Sequence, residues 1–369
     1  MVEDAHPVAR FIQDVLPRIP GGPLVVTKSP GHAVLVRQAA QARGLTTRTI
    51  GDREFVYAGQ VALGGARKLT TGLNSHEATA ICRSKHLTKQ MLDAAGLPTP
   101  AGIVLGADQF DQALARLQST GRPAVLKPMS QARGEGVTCA IITEADLTSA
   151  WARVARAARR APDFLLEEQV DGIDIRVHVV GRRVVAVATR LPAHVIGDGR
   201  RDIAALVELK QGQRDRHAYL AKSPIIVEPT LLSGAGWTLH DIPADGAIVL
   251  LNGPANVAAG GEPVDVTGLV HPDLLALAVD AARAIPGLRN AGVDLMAPDL
   301  DTLDGAVVLE INVFPDIRVH HQPAYGRARD SAGAIVDEMI AAAGVPARVP
   351  RRTNVARRLI RYLSASPSS

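Results

Sequence analysis

The chain has 369 residues, of which 47% are hydrophobic and 21% charged, values typical of a globular protein, and its net charge of +4 is too small to indicate a nucleic-acid partner. The two cysteines, Cys82 and Cys139, exclude a disulfide framework and make a reducing cytoplasm the expected compartment. The acidic N-terminus predicts no signal peptide, and no apolar run is long enough to predict a membrane span.

The N-terminal residues 1–84 are predicted to form a small α/β domain. Residues 23–28 read as a buried strand, residues 32–44 as a helix ended by glycine and residues 46–50 as a second strand. This order gives a β-α-β start. Residues 51–72 are rich in glycine and read as irregular.

The rest of the chain alternates between helical and strand patterns. Ser75 and Ser84 are each expected to cap a helix at its start. Further helices are expected over residues 108–121, 144–162, 202–212, 274–287 and 329–344. Strands are expected over residues 97–105, 123–129, 136–142, 164–170, 174–191 (a hairpin turning at Gly181), 247–251, 292–296 and 306–314.

The last strand pair predicts an oxygen-rich cluster. Glu310 and Asn312 lie two residues apart on a strand and so share a face, and an antiparallel partner strand would place Asp294 across from them. Carboxylate and amide oxygens suit a hard cation that also accepts phosphate oxygens, Mg2+ above all. The alternative is a solvated strand face, because Glu-x-Asn is a common pattern.

Four further features precede this cluster along the chain. Lys85 stands near a helix start, where a solvated lysine is the usual interpretation, whereas Lys127 ends an apolar strand and there implies a counter-ion. The segment SQARGEGVT carries Gly134 and Gly136, whose backbone can approach phosphate closely, although a plain hairpin turn gives the same pattern. In residues 165–177 an apolar strand meets a series of acidic residues.

In this order the features resemble an ATP-grasp ligase over roughly residues 85–341. Within that superfamily the sequence is similar to the ATP-grasp domain of cyanophycin synthetases and of bifunctional glutathione synthetases, in the phrases VAVATRLPAHVIGDG, ANVAAGGEPVDVTGLVHPD, AGVDLM and LEINVFPDIRVH. The resemblance implies an ATP-grasp fold, with α/β and α+β parts, behind the N-terminal α/β domain. It implies a linker helix and small lid subdomain over residues 85–170, a catalytic subdomain over residues 171–345 and a basic tail over residues 346–369.

The resemblance also implies a role for each site residue. The implied ATP contacts are Lys85 and Lys127 for the phosphates, Ser130, Gly134, Gly136 and Val137 in the loop over them, Glu167, Glu168 and Val170 around adenine, and Asp174 at the ribose. The implied ligands of Mg2+, with Mn2+ as the alternative ion, are Asp294, Glu310 and Asn312. The residues implied for the acyl phosphate or the substrate carboxylate are Arg190 and Arg318.

Such a set implies an ADP-forming ligase that joins a carboxylate to an amine through an acyl phosphate. Phosphoryl transfer needs cations where charge develops, and a closing loop keeps water from the acyl phosphate. The expected substrates are amino acids or short peptides, and the resemblance is compatible with a homo-oligomer. One alternative is a non-catalytic ATP-binding regulatory or scaffold subunit, and another is a basic nucleic-acid-associated protein. The first is disfavoured by the intact set of Lys127, Asp294, Glu310 and Asn312.

Three positions depart from the family pattern. Ala258 and Ala259 stand where Ser-Thr usually precedes Gly-Gly, and Asp316 stands where Gly usually follows Pro. All three lie where substrate is expected, so they bear on the substrate rather than on the nucleotide chemistry. Asp316 could instead hold Arg318 in a structural ion pair.

The Mur-ligase-like half of cyanophycin synthetases is not expected in this chain. The arginine-rich tail is predicted to form a docked terminal helix, with binding to a membrane surface or to an acidic partner as alternatives.

Overall fold

The computed structural model describes residues 6–20, 24–129, 136–157, 163–253 and 255–344. In these residues the α-helices, numbered α1 to α11, are Pro7–Arg10, His32–Ala42, His76–Arg83, Lys85–Ala94, Phe110–Thr120, Glu144–Ala157, Ile203–Arg214, Pro229–Gly234, Pro272–Arg283, Arg318–His321 and Ser331–Ala342. The strands, β1 to β15, are Thr46–Ile50, Arg53–Ala58, Val61–Arg67, Thr70–Thr71, Gly102–Leu105, Ala124–Pro128, Thr138–Ile141, Phe164–Glu168, Ile173–Val180, Arg183–Leu191, His194–Ile196, Ile248–Leu250, Glu262–Asp265, Asn290–Ala297 and Val307–Asn312. Within the described ranges, no helix combines the length and the apolar character needed to cross a membrane.

The central sheet is antiparallel and has the strand order β13-β10-β9-β14-β15. Alternate residues of β9 face opposite sides, so Ile173, Ile175 and Val177 enter a core that includes α9, while Asp174 and Arg176 face the other way. Every residue of β9 is buried. The strand in the middle of this sheet therefore presents charged side chains that need partners within the protein.

A smaller antiparallel sheet has the order β5-β8-β6-β7, and α5 and α6 contribute to its core. Its register places Glu167 opposite Val125 on one side and Gly102 on the other. Lys127 follows Val125 by two residues and so shares the face of Glu167. A side chain at Gly102 would approach Glu167, because an added Cβ would lie 2.6 Å from Glu167 Cγ.

The N-terminal sheet differs from the expected β-α-β unit. Its strands β1-β2-β3-β4 form an antiparallel meander, and the described part of the predicted strand, residues 24–28, contributes no strand to it. In that segment Leu24 donates its backbone N–H to Ala324, and Val26 makes an isolated bridge to His217. Residues 24–26 are therefore a segment attached to the C-terminal part of the chain, and the prediction of a buried strand is wrong for the described residues.

Residues 51–72 were expected to be irregular but contain β2, β3 and β4. The glycines have a packing reason: Met339 of α11 lies against Gly64, where an added Cβ would sit 3.2 Å from the Met339 side chain. At Gly65 an added Cβ would lie 2.7 Å from the Glu54 carbonyl oxygen. Glycine here permits close approach within a sheet rather than breaking it.

Most other predicted elements are confirmed. Ser75 and Ser84 accept hydrogen bonds from the backbone N–H groups of Ala78 and Leu87, and the hairpin turns at Gly181, whose φ is +63°. Residues 192–265 contain elements that the sequence did not predict, among them β11, β13 and α8. The fold is a mixed α/β and α+β arrangement as expected, whereas the division into four domains stays a prediction.

Candidate active site

A narrow cleft lies where helix α4 and the small sheet meet the edge of the central sheet. It is lined by Lys85 at the start of α4, Lys127 on β6, Glu167 on β8 and Glu310 on β15. The sequence predicted these four residues from widely separated segments, and the fold brings them to one surface. The cleft thus presents lysine ammonium groups and carboxylates to a common volume.

Lys85 is coupled electrostatically to the other charged groups of the cleft. Burial lowers the pKa of Lys85, the Glu310 carboxylate opposes this change, and the nearby Lys127 ammonium adds to it. Cys82 lines the same cleft, but burial raises the pKa of its thiol to about 12. A thiol with so high a pKa is a poor nucleophile at neutral pH, so lysine and carboxylate chemistry dominates this surface.

Glu167 is held between two lysines. Lys127 Nζ binds Glu167 Oε2, and Lys89 Nζ lies 3.3 Å from Glu167 Oε1. Sequence reasoning missed Lys89, although it follows Lys85 by one helical turn and therefore lies on the same face of α4. The adenine contact expected of Glu167 stays a prediction, since the structure places its carboxylate against the lysines.

A buried ion-pair network occupies the charged face of the central sheet. Asp294 stands opposite Arg176 in the strand register and accepts hydrogen bonds from Arg176 Nε and, at 2.8 Å, Nη2. Arg190 donates to Asp294 at 2.9 Å and to both oxygens of Asp174 at 2.6 Å. Asn312 Nδ2 donates to Asp294 Oδ2 at 3.2 Å.

This network keeps Asp294 ionised. Burial raises the pKa of the Asp294 carboxyl, but Arg176 and Arg190 together outweigh burial and hold the pKa below its ordinary value. Of the two arginines, the sequence analysis assigned a role to Arg190 and none to Arg176. The signal for Arg176 was its position on one strand face with Asp174.

The donor set predicted for a metal ion is only partly assembled by protein atoms. Asp294 and Glu310 are paired across β14 and β15, and Asn312 follows on the same strand. Among the described residues no group of three or more histidine, cysteine, aspartate or glutamate side chains could hold a metal by itself. Two carboxylates and one amide oxygen nevertheless fit Mg2+ when phosphate and water supply the remaining ligands, which is how Mg2+ usually binds.

Two predicted residues face other partners. Successive strand residues point to opposite sides, so Glu168 turns away from Glu167 and pairs with Arg116 at 3.3 Å and Arg122 at 3.2 Å. Arg318 lies on the short helix α10, where its Nε and Nη2 donate to Asp316 at 2.8 and 2.5 Å. The Glu168 side chain is therefore not expected to contact the nucleotide. Arg318 forms the ion pair with Asp316 that the sequence analysis named as its alternative role.

The remaining predicted residues are Ser130, Gly134, Gly136, Val137 and Val170. Ser130 and Gly134 lie outside the described residues. Gly136 has a φ of +75°, a left-handed conformation that favours glycine, and Val137 is half-buried beside it. Val170 is half-buried beyond the end of β8. Their roles in ATP binding stay predictions.

The departures Ala258 and Ala259 lie in a braced turn. They belong to a 3-10 turn, Val257–Ala259, that ends at Gly260 with a φ of +94°. Asn252 Nδ2 donates to the Ala259 carbonyl at 2.5 Å, and Arg214 Nη1 donates to the Gly261 carbonyl at 3.1 Å. Because these contacts use backbone carbonyls, they hold the loop without the Ser-Thr hydroxyl groups of the family pattern.

Three buried histidines are neutral in the folded protein. Burial lowers the pKa of His32, His178 and His194 to about 4 in each case. The ring nitrogens of His178 lie 3.0 Å from Ser331 Oγ and 2.9 Å from Asn290 Oδ1. Neither ring nitrogen of His32 has a hydrogen-bond partner among the residues that the structure describes.

Acid should therefore destabilise the protein. An unfolded histidine takes up a proton below about pH 6.5, whereas folded His32 stays neutral until about pH 4. The stability that His32 contributes is fully present above the unfolded pKa and declines as pH falls, by about 2 kcal/mol between pH 7 and pH 5. Urea unfolding of His32→Leu should show a pH dependence smaller by about that amount.

The matched control for this prediction is His86→Leu on helix α4. His86 is exposed, so the same substitution there should not reproduce the change expected of His32→Leu. An unchanged pH dependence in His32→Leu would contradict the burial argument.

Known proteins resemble this chain in sequence and in fold. The chain is 37% identical to a cyanophycin synthetase of Trichormus variabilis over 264 residues, covering 69% of this chain, and 30% identical to a bifunctional glutathione biosynthesis protein of Mannheimia succiniciproducens over 275 residues, covering 70% of it. The crystal structure of a bifunctional glutathione synthetase from Pasteurella multocida matches with a TM-score of 0.58 at 25% identity, over 82% of this chain and 44% of that chain. The chain belongs to the ATP-grasp superfamily. No family model matches it.

This ATP-grasp chain spans a minor part of each relative. It covers 28% of the T. variabilis protein, 35% of the M. succiniciproducens protein and 37% of a cyanophycin synthetase of Geminocystis herdmanii. The resemblance predicted from the sequence is confirmed for the superfamily and for both groups of relatives.

Proposed function

We propose that this chain is an ATP-dependent carboxylate–amine ligase that forms an amide or peptide bond, releases ADP and works through an acyl phosphate. The observation that carries the proposal is the convergence of Lys85, Lys127 and Glu310 on one cleft, with Asp294 paired opposite Glu310. A carboxylate does not react with an amine at neutral pH, whereas an acyl phosphate does. The ligase therefore needs positive charge around a transferring phosphoryl group, and this cleft supplies it.

Each group has a distinct task in this proposal. Lys85 and Lys127 neutralise phosphate oxygens of ATP, and Glu310, Asn312 and Asp294 are the residues that would hold Mg2+ or Mn2+. The bound ion would screen charge on the phosphates and orient them for in-line transfer. Glu310 faces the cleft and carries the negative charge that such an ion requires.

The arginines are proposed to act at the acyl end. Arg190 lies in the buried network beside Asp294, where negative charge on the acyl phosphate would develop. Arg318 is proposed to orient the substrate carboxylate, and for that it must exchange its bonds to Asp316, at 2.5 Å and longer, for bonds to substrate. Gly136 and Val137 are proposed to belong to the loop that closes over the phosphates.

The alternative is a subunit that binds ATP without ligation. The charges that a catalyst needs are present together in this cleft, and no observation on the described residues favours the alternative. Amino acids or short peptides are proposed as substrates, a homo-oligomer as a compatible assembly and the cytoplasm as the compartment. Ala258, Ala259 and Asp316 are proposed to set the choice of substrate.

Isotope transfer tests the proposal. The protein is incubated with ATP, Mg2+ and amino acids or short peptides, singly and in pairs, and phosphate release is measured. Release that depends on two co-substrates is expected, and 18O placed in the substrate carboxylate should appear in the released phosphate. Label in AMP would mean adenylation, and nucleotide binding without release for any pair would favour the non-catalytic alternative.

A trapping experiment tests the order of events. With ATP, Mg2+ and the carboxylate substrate alone, hydroxylamine should yield a hydroxamate, because activation precedes attack by the amine. Lys127→Ala should lose this product, since Lys127 balances charge on the transferring phosphoryl group. Hydroxamate formation at the wild-type rate in Lys127→Ala would contradict the role of Lys127.

A further inference from the structure

The ammonium group of Lys89 is fully engaged by protein atoms. Its Nζ lies 2.9 Å from Thr99 Oγ1 and 3.3 Å from Glu167 Oε1, and it also donates to the Pro100 carbonyl oxygen. An ammonium group has three donors, so these three partners use its full capacity. Lys89 is therefore a fixed charge rather than a ligand for phosphate.

Lys127 approaches the same carboxylate from the other side. Lys127 Nζ binds Glu167 Oε2, and Lys89 Nζ binds Glu167 Oε1. One carboxylate therefore bridges two cations. The exposed fraction of the Glu167 side chain is 6%, against 15% for Lys127 and 16% for Lys89. Glu167 thus has little access to water, and these two lysines bind one carboxylate oxygen each.

We infer that Lys89 is a positioning residue. It keeps a positive charge beside the Glu167 carboxylate when Lys127 leaves that carboxylate to bind a phosphate of the nucleotide. Without nucleotide, Glu167 acts as the counter-ion of Lys127. A bound phosphate competes for Lys127, and a buried carboxylate that loses one cation is tolerated because the other stays in place. Lys89 therefore lowers the free-energy cost of releasing Lys127 to the nucleotide.

This inference rests on the proposed nucleotide site but not on ligation. Removal of the Lys89 charge leaves Lys127 as the lysine that binds the Glu167 carboxylate directly, so the Lys127–Glu167 pair becomes harder to separate. Nucleotide affinity should fall, and it should fall only while residue 167 carries a charge. If Lys89 only tied α4 to the Thr99–Pro100 segment before β5, the result would differ, because such a contact acts whether or not residue 167 is charged.

A double-mutant cycle makes this distinction. The dissociation constant of ADP is measured by calorimetry with saturating Mg2+ for Lys89→Gln, Glu167→Gln and the double variant. Lys89→Gln should weaken ADP binding at least ~10-fold in the wild-type background and by less than ~2-fold in the Glu167→Gln background. Lys89→Met removes the N–H donors as well as the charge, whereas Lys89→Gln removes only the charge and keeps an amide donor. Lys89→Met should give the same pattern.

Thr99→Val serves as the matched control for the tether. It removes the Lys89–Thr99 contact of 2.9 Å and the Thr99–Asp93 hydrogen bond of 3.0 Å. It leaves the Pro100 contact and the Lys89 charge beside Glu167. Its effect on the ADP dissociation constant should be well below that of Lys89→Gln. Thermal unfolding of every variant establishes that each is folded at the temperature of the titration.

The outcomes separate the inference from the proposed function. Equal weakening by Lys89→Gln in both backgrounds, or a Thr99→Val effect as large, would mean that Lys89 is a structural tether and would overturn the inference. No effect of Lys89→Gln in the wild-type background would overturn it as well. Failure of the wild-type protein to bind ADP would overturn the proposed function and the inference together.

Discussion

Glu310→Gln should reduce ATP-dependent phosphate release by at least ~100-fold while the fold stays intact. Glutamine keeps the shape of the side chain and removes the charge that would hold a divalent ion on the phosphates. Glu310 lies on β15 opposite Asp294 and faces the cleft with Lys85 and Lys127, so the loss falls at the reacting phosphate. Phosphate release and ADP binding, measured at saturating Mg2+ on the same preparation, give the comparison.

The control for this prediction is Glu208→Gln on helix α7. It makes the same chemical change at an exposed position, and its turnover should stay within about 2-fold of wild type, as for most surface substitutions. Thermal unfolding of Glu310→Gln should match the wild type closely, because the side chain is only half-buried. Wild-type turnover in Glu310→Gln would rule out the assigned role, and bound ADP without turnover would support it.

Local sequence signals were sufficient to predict a helix start or a turn where a single residue determines it. The caps at Ser75 and Ser84 and the turn at Gly181 were predicted because a hydroxyl acceptor and a left-handed glycine act on their immediate neighbours. The two-residue period of a strand also predicted that Asp294 would face Glu310, and the register confirms it. These features depend on few residues and on short distances along the chain.

Long-range pairing could not be predicted in the same way. Arg176 and Asp294 are 118 residues apart in sequence, and their contact depends on β9 pairing with β14 in one register. Lys89 and Glu167 are separated by 78 residues, and a lysine on an amphipathic helix has no local feature that distinguishes a buried ion pair from a solvated side chain. Such residues become recognisable only when the sheets are assembled.

The N-terminal error has a different cause. An apolar run such as residues 23–28 forms a strand only when another strand offers it hydrogen bonds, and here β1 to β4 satisfy one another. Glycine content misled in the opposite direction, because Gly64 and Gly65 serve close packing inside β3. Composition alone does not distinguish these uses.

Asp294→Ala should lower the free energy of unfolding by about 3–5 kcal/mol, as expected when one partner of a buried charge network is removed. Arg176 and Arg190 both donate to this carboxylate, and the relative exposures of Asp294 and Arg176 are 4% and 8%. Arg190 keeps Asp174, but Arg176 loses the partner of its Nε and Nη2 groups. Equilibrium urea unfolding at pH 7, with the slope of the transition checked against wild type, measures the change.

Asp280→Ala provides the comparison, because Asp280 pairs with Arg283 at 3.2 Å and both side chains are 54% exposed. An exposed pair contributes at most ~1 kcal/mol, so the two aspartates should differ several-fold in their effect on stability. Asp294→Asn should lie between Asp294→Ala and wild type, since the amide oxygen can still accept a hydrogen bond but the charge is gone. A loss in Asp294→Ala as small as that in Asp280→Ala would mean that Arg176 finds another partner or water. In that case metal binding would be the remaining role of the Asp294 carboxylate in the wild-type protein. A large loss of stability would mean that this carboxylate also holds Arg176 and Arg190 in place.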